Sequence, residues 1–202
     1  IKRLSHKIQD KRAQAYSIKS IIARKSLYTN FDKSYICIMD KLIERLDLCM
    51  KLAFGYEHLC QEARQKPFIC HNNFIEDLKR TESGKLYINS FSACSIDVPV
   101  YNLSELLKGF LSLDICNWDF DTVKELVDVY NSSRALSLTE YKILLCLLVM
   151  PDKLLGIGKK RYIKQKNLSE RKYSERLDKA LLLFNKQQQL IQPFIEAYGI
   201  LL

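Results

Sequence analysis

The residues best placed to do chemistry lie between positions 67 and 97. An apolar run, Pro67-Phe68-Ile69-Cys70, delivers His71 into a polar stretch, Asn72-Asn73, that continues through Phe74 to Glu76 and Asp77. A Ser83-Gly84 turn follows, and the alternation Leu86-Tyr87-Ile88 ends in Ser90-Phe91-Ser92. This pattern predicts strand, site loop, hairpin turn and strand, over residues 67–92. A loop histidine can act as base, as metal ligand or as a structural donor and acceptor. Metal-dependent chemistry would need two carboxylates to converge on it, and the candidates are Glu76, Asp77, Glu82 and Asp97. The seven cysteines contain no C-x-x-C and no Cys/His cluster with zinc spacing.

Helices must position this loop. Residues 1–28 read as a basic helix with a sparse apolar stripe of Leu4, Ile8, Ile18, Ile21 and Ile22. Asp32 is the expected N-cap of the next element. From 35 to 64 the apolar residues Tyr35, Met39, Leu42, Ile43, Leu46, Cys49, Met50, Ala53 and Phe54 recur at three- and four-residue steps. That is one long amphipathic helix in which Gly55 marks a kink or a boundary. After the hairpin, residues 97–100 read as a loop, and Asn102-Leu103-Ser104-Glu105 has capping-box spacing, so a helix is expected to start at Asn102. Asp119 or Asp121 caps another, and Ser137-Leu138-Thr139-Glu140 opens a third. Residues 141–150 are apolar on nearly every side and predict the central buried helix, ended by Pro151. A C-terminal helix carries Leu177, Ala180, Leu181 and Phe184, then Ile191, Ile195 and Tyr198. The fold class is mostly α with a small β-hairpin (α+β), with residues 1–202 forming one domain and 102–202 its helical part.

Composition agrees with a packed domain. Hydrophobic residues make up 48% and charged ones 27%, and only six Gly and four Pro interrupt the 202 residues. The longest apolar run, 143–150, is too short to span a bilayer, which takes about 20 residues. The chain opens with Ile and shows no signal-peptide pattern, as expected of the trimmed core of a longer protein. Scattered cysteines at 37, 49, 60, 70, 94, 116 and 146 read as reduced, buried thilos of a protein made inside the cell. The net charge of +9 is concentrated at the ends. Residues 1–26 carry eight Lys/Arg against one Asp, and residues 159–179 carry nine against three acids, while the 27–158 body is mildly acidic. Two solvated helix faces account for this simply; an acidic polymer met by residues 2–25 and 159–179 is the alternative.

From about Phe31 to Tyr198 the order of features resembles the CotS-type spore-coat proteins, a branch of the aminoglycoside-phosphotransferase and choline-kinase-like group. The residues that carry the resemblance are Phe31-Asp32, Ile69-Cys70-His71, Lys85-Leu86-Tyr87-Ile88, Ser90-Phe91-Ser92 and the run from Asp97 to Leu103. Trp118-Asp119, Leu138-Thr139-Glu140 and Met150-Pro151-Asp152-Lys153 continue the series. The resemblance implies a protein-kinase-like large C-terminal lobe. No glycine-rich loop and no strand lysine for nucleotide phosphates is found, so the small N-terminal lobe is expected to be absent.

The group builds its site on an H-x-D-x-x-x-x-N loop followed by a D-F-x segment. Carried over position by position, His71 matches the loop histidine, whose usual role is structural. Asn73 stands for the base Asp, and an amide is no base near neutral pH. Leu78 stands for a metal-ligating Asn and offers no donor atom. Ser90 stands for the main magnesium-binding Asp, and a neutral hydroxyl is a poor substitute for an anionic ligand. Asn102 stands where the group often has Asp. Phosphoryl transfer rests almost wholly on metal and positioning, so the expectation is a non-catalytic, kinase-like structural protein with no cofactor and no metal. Synthesis in the mother-cell cytoplasm and then placement in the spore coat, with other coat proteins as partners, follow from the resemblance alone. A lobe without its small lobe would expose an apolar cleft around Phe68, Phe74, Ile88 and Phe91, which predicts self-association or a tight partner. The competing readings are a small-molecule phosphotransferase with displaced ligands, and a basic binder of acidic polymer or nucleic acid in which Tyr162 and Tyr173 stack on bases. Nothing resembles an RNP motif, a zinc finger or a clear helix-turn-helix, so nucleic acid is not the expected partner.

Overall fold

The stripe at 31, 35, 39, 42, 46 and 49 winds onto one helical face and loses all contact with water, except for a trace at Phe31. In the computed structural model, which describes residues 4–113 and 116–202, this helix is the second of the chain. The order is α1 (Leu4–Ala23), α2 (Asn30–Leu52), α3 (Tyr56–Gln65), β1 (Ile69–His71), α4 (Phe74–Asp77), β2 (Leu78–Arg80), β3 (Leu86–Ile88) and β4 (Cys94–Ile96). Then come α5 (Pro99–Leu111), α6 (Phe120–Ser133), α7 (Leu138–Val149), α8 (Asp152–Gly158), a π-helical turn (Lys159–Ile163) and α9 (Glu170–Ala197).

The expected central helix is α7, where every residue from Ile143 to Val149 is buried. It packs against α2, α5 and α9. Ser137 and Glu140 cap its start reciprocally, as the spacing predicts. Its other end poses a problem, because the last carbonyls of a helix have no partner within it. Gln187 donates to the Leu148 carbonyl at 2.7 Å and the Arg45 guanidinium to the Val149 carbonyl at 3.2 Å. Burial pushes the Arg45 pKa down to about 10, which leaves it charged at neutral pH and suited to a helix C-terminus.

Several sequence expectations are corrected. The helix read over 35–64 is two, α2 and α3, because Gly55 sits at φ +89°, in the left-handed region. Thr29, rather than Asp32, is the N-cap of α2, and Asp32 completes a capping box as its third helical residue. Asn102 does not start α5: the helix begins three residues earlier, where Pro99 at the first helical position needs no hydrogen-bond partner and has φ preset. The 67–92 region is not one hairpin. β2 and β3 form a hairpin in the register Leu78–Ile88, and it is nested inside an antiparallel pair of β1 with β4, a strand beyond the expected limit. Cys37 is exposed, unlike the buried thiols expected, whereas Cys49, Cys60, Cys70 and Cys146 are buried, and all seven are free.

One polar knot joins distant segments. Asp32 is fully closed from solvent, and its carboxylate accepts from Lys25 Nζ at 2.8 Å and Tyr162 Oη at 2.6 Å. The Thr29 backbone N–H donates to it at 3.0 Å. Arg161 lies above the Phe31 and Tyr173 rings, 4.5 and 4.8 Å from their centroids, and bonds Glu170. Tyr162 and Tyr173, which the competing nucleic-acid reading would stack on bases, are buried core residues. Beside them Gly158 lets α8 approach α2: a Cβ there would lie 2.3 Å from the hydroxyl of Tyr35, which donates to the Leu154 carbonyl.

Burial pushes the Asp32 carboxyl up, but the bonds from Lys25, Tyr162 and Thr29 outweigh it and hold the pKa at about 2. A carboxyl lowered in the folded state stabilises fully above its unfolded value near 4, and the contribution disappears as pH falls from about 4 to about 2. Asp32→Asn is expected to cost about 3 kcal/mol in urea titrations at pH 7, because it strands buried donors. It should also remove most of the loss of stability between pH 4 and 2; an unchanged acid limb would sink this account.

Candidate functional site

The site loop hangs between β1 and α4. Cys70 points into the core while its neighbours in β1 face outward, an alternation set by strand geometry. His71 remains only 12% exposed at its side chain. The Phe74 and Phe91 rings cover it edge-on, with centroids 6.1 and 5.9 Å away. Nε2 lies 2.6 Å from the Ser90 carbonyl oxygen, which can only accept, so Nε2 carries the proton and donates. Nδ1 is buried and has no protein partner among the described residues. The Asn102 amide on α5 donates to the His71 carbonyl at 2.8 Å. His71 is thus tied to the β3–β4 connection through its ring and to α5 through its backbone.

The other named positions gather unevenly. His71, Asn73 and Asn102 line one shallow cleft of about 250 Å³, with Phe74, Glu76 and Glu105. Ser90 reaches the cluster through its carbonyl, while its hydroxyl bonds that of Ser92 at 2.9 Å. Leu78 lies in β2, half-buried, opposite Ile88. Of the four carboxylates, only Asp77 comes near the imidazole: its Oδ2 is 3.6 Å from His71 Nε2 and accepts from the Asn73 amide at 3.4 Å. Asp97 is buried and accepts from the Val98 N–H, and Glu82 is exposed in the hairpin turn. Among the described residues, no three His, Cys, Asp or Glu side chains come together in a way that could hold a metal ion. Of the four apolar residues expected to line an exposed cleft, Phe68 and Phe91 are exposed at 40% and 69%, while Phe74 and Ile88 are half-buried. Ile69 and Ile96, paired across β1 and β4, add to this exposed apolar surface.

The basic ends meet in space, since α1 packs on α8 and on the 159–163 turn. Much of their charge is matched internally. Lys11 bonds Asp152, Arg12 bonds Asp47, Lys19 bonds Asp40, and Lys25 bonds Asp32. Lys2 and Arg3 lie outside the described residues. A larger cavity lies away from the His71 loop, about 670 Å³ between the end of α5, α8 and α9. Sequence reasoning passed over it, although Arg176, Lys179, Leu183 and Lys186 have the spacing of one helix face.

No protein-family profile matches the chain. Its fold is that of the kinase-like phosphotransferases: it superposes along its whole length on a crystal structure of aminoglycoside phosphotransferase from Alicyclobacillus acidocaldarius subsp. acidocaldarius DSM 446. The TM-score is 0.82 at 15% sequence identity, and 60% of that chain is covered. In sequence the chain is similar to spore coat protein S of Bacillus subtilis (strain 168), 23% identical over 172 residues, which are 83% of this chain and 48% of that protein. The resemblance to the CotS and aminoglycoside-phosphotransferase group read from the sequence therefore holds, in an α+β, mostly helical architecture. The chain spans about half the length of spore coat protein S. No helix among the described residues is long and apolar enough to cross a membrane.

If His71 is a structural tie, His71→Leu keeps the apolar contacts with Phe74 and Phe91 but strands the Ser90 carbonyl. A loss of about 1 to 3 kcal/mol is expected in urea titrations, with faster amide exchange at residues 89–96. Unchanged stability and exchange would remove the tie from the argument.

Proposed function

We propose that this chain is a non-catalytic, kinase-like structural protein of the spore coat that works through protein–protein contact. The observation that carries the reading is how the loop uses its polar groups. The His71 ring donates to Ser90, the Asn102 amide to the His71 carbonyl, and the Asn73 amide to Asp77. These groups hold the frame together. At the three positions where the kinase-like group keeps its base and metal ligands, Asn73, Leu78 and Ser90 supply an amide, an alkyl group and a neutral hydroxyl. Asp77 stands beside the His71 ring and Glu76 and Glu105 border the cleft, but among the described residues they do not converge as a metal-ligand set, which makes a poor magnesium site. The spore-coat assignment draws on the similarity to spore coat protein S, and contact with other coat proteins or a second copy draws on the exposed apolar residues Phe68, Ile69, Phe91 and Ile96.

Isothermal calorimetry of the purified chain is expected to show no magnesium-dependent nucleotide binding, Mg-ATP giving no more heat than ATP alone, and the same is expected of an Asn73→Asp/Leu78→Asn/Ser90→Asp variant. Magnesium-dependent binding by the native chain would overturn the proposal and put a phosphotransferase with displaced ligands first. In sedimentation velocity the chain is expected to self-associate through its apolar face, with Phe91→Asp/Ile96→Asp shifting it toward monomer. A native chain that stays monomeric at high concentration and binds no coat protein would count against the structural role.

A further inference from the structure

The cavity between α5, α8 and α9 has a composition that the structural role does not use. Lys153 and Lys160 approach it from α8 and the π-helical turn, and Arg176, Lys179 and Lys186 from α9. None of these five side chains has an ion-pair or hydrogen-bond partner among the described residues. The one carboxylate among the described lining residues, Asp152, is engaged by Lys11. Other cations without a partner, such as Lys33 and Lys41 on α2, are exposed on the surface, whereas these five border a single cavity. Their mutual repulsion is relieved only by anions.

The cavity is more than a charged surface. Its wall includes Trp118, which is 7% exposed, together with Leu111, Ile157, Ala180 and Leu183. Trp118 is delivered by a tight turn in which Asn117 and Trp118 have φ of +41° and +60°, a left-handed conformation that costs of order 1 kcal/mol or more for non-glycine residues. At about 670 Å³ the space suits a small molecule rather than a single ion. Lysine ammonium groups act as point charges toward phosphate, and each phosphate group brings up to two negative charges, so a ligand with two or three phosphates matches five cations. We propose that this cavity binds a small polyphosphorylated molecule, its phosphates among the five cations and any apolar or planar portion along the Trp118 wall. Because no free carboxylate lines the described cavity, no magnesium ion is needed to bridge the ligand to the protein. This site is separate from the His71 cleft and does not depend on how that cleft is read.

Trp118 is the only tryptophan in the chain, so its fluorescence reports on this cavity and on the smaller cleft that adjoins it at the same ring. Tripolyphosphate titrated without magnesium is expected to change that emission saturably, with affinity falling as salt is raised. Lys153→Glu/Lys179→Glu, on exposed positions, should weaken binding by about tenfold or more. Lys33→Glu/Lys41→Glu, an equal charge change on α2, should leave it near the native value. Citrate should bind more weakly than tripolyphosphate, as phosphate selectivity requires. Silence in both fluorescence and calorimetry would overturn the proposal. So would equal weakening by the two variants, which means diffuse charge, or a preference for long polyglutamate over tripolyphosphate, which means an acidic protein surface.

Discussion

A carboxylate shut away from water must be matched by donors or give up its charge, and Asp32 is matched from three directions. Lys25 comes from the segment after α1, Thr29 from the cap of α2, and Tyr162 from the π-helical turn 130 residues further on. Around it Phe31, Tyr35, Tyr162 and Tyr173 form one aromatic cluster crossed by Arg161. The N-terminal helices and the start of α9 therefore share a common floor. Removing any one donor exposes the rest to an uncompensated charge, so the first and last quarters of the chain are held in one arrangement.

The same demand organises the centre. α7 is so apolar that its end is buried, and buried carbonyls require donors. Arg45 and Gln187 come from α2 and α9 to supply them. In doing so they fix how those two helices sit on α7. Polar groups in this core thus act as register pins between helices whose apolar surfaces alone would tolerate sliding.

The loop around His71 follows a related logic with a different outcome. Strand β1 and the short helix α4 of the loop pack on α5, and the polar residues of the loop bond to one another and to their frame. A concentration of unpaired cations lies elsewhere, beyond the far end of α5. Clefts line this helix along its length: Glu105 borders the His71 cleft, Lys108 the space beside α7, and Ser112 the basic cavity. One helix therefore separates a cleft bordered by Glu76 and Glu105 from a strongly cationic one.

The helices were legible because apolar periodicity, Pro151 and the Ser137–Glu140 box are local signals, and each acts over a turn or two of chain. The His71 loop was legible for the same reason, as a polar stretch between apolar runs. What failed were readings in which two local solutions compete. Thr29 and Asp32 could each cap α2, and Asn102 had capping spacing, yet Pro99 started α5 earlier and freed the Asn102 amide to reach His71. The pairing of β1 with β4 needed a partner 25 residues away with no alternation of its own. Charge was the least legible property: sequence shows two basic ends, whereas the fold decides that Lys11, Arg12, Lys19 and Lys25 meet acids and that Lys153, Lys160 and three α9 cations meet none. Pairing depends on distances of a few ångströms between residues far apart in the chain, and those distances exist only once the helices have packed.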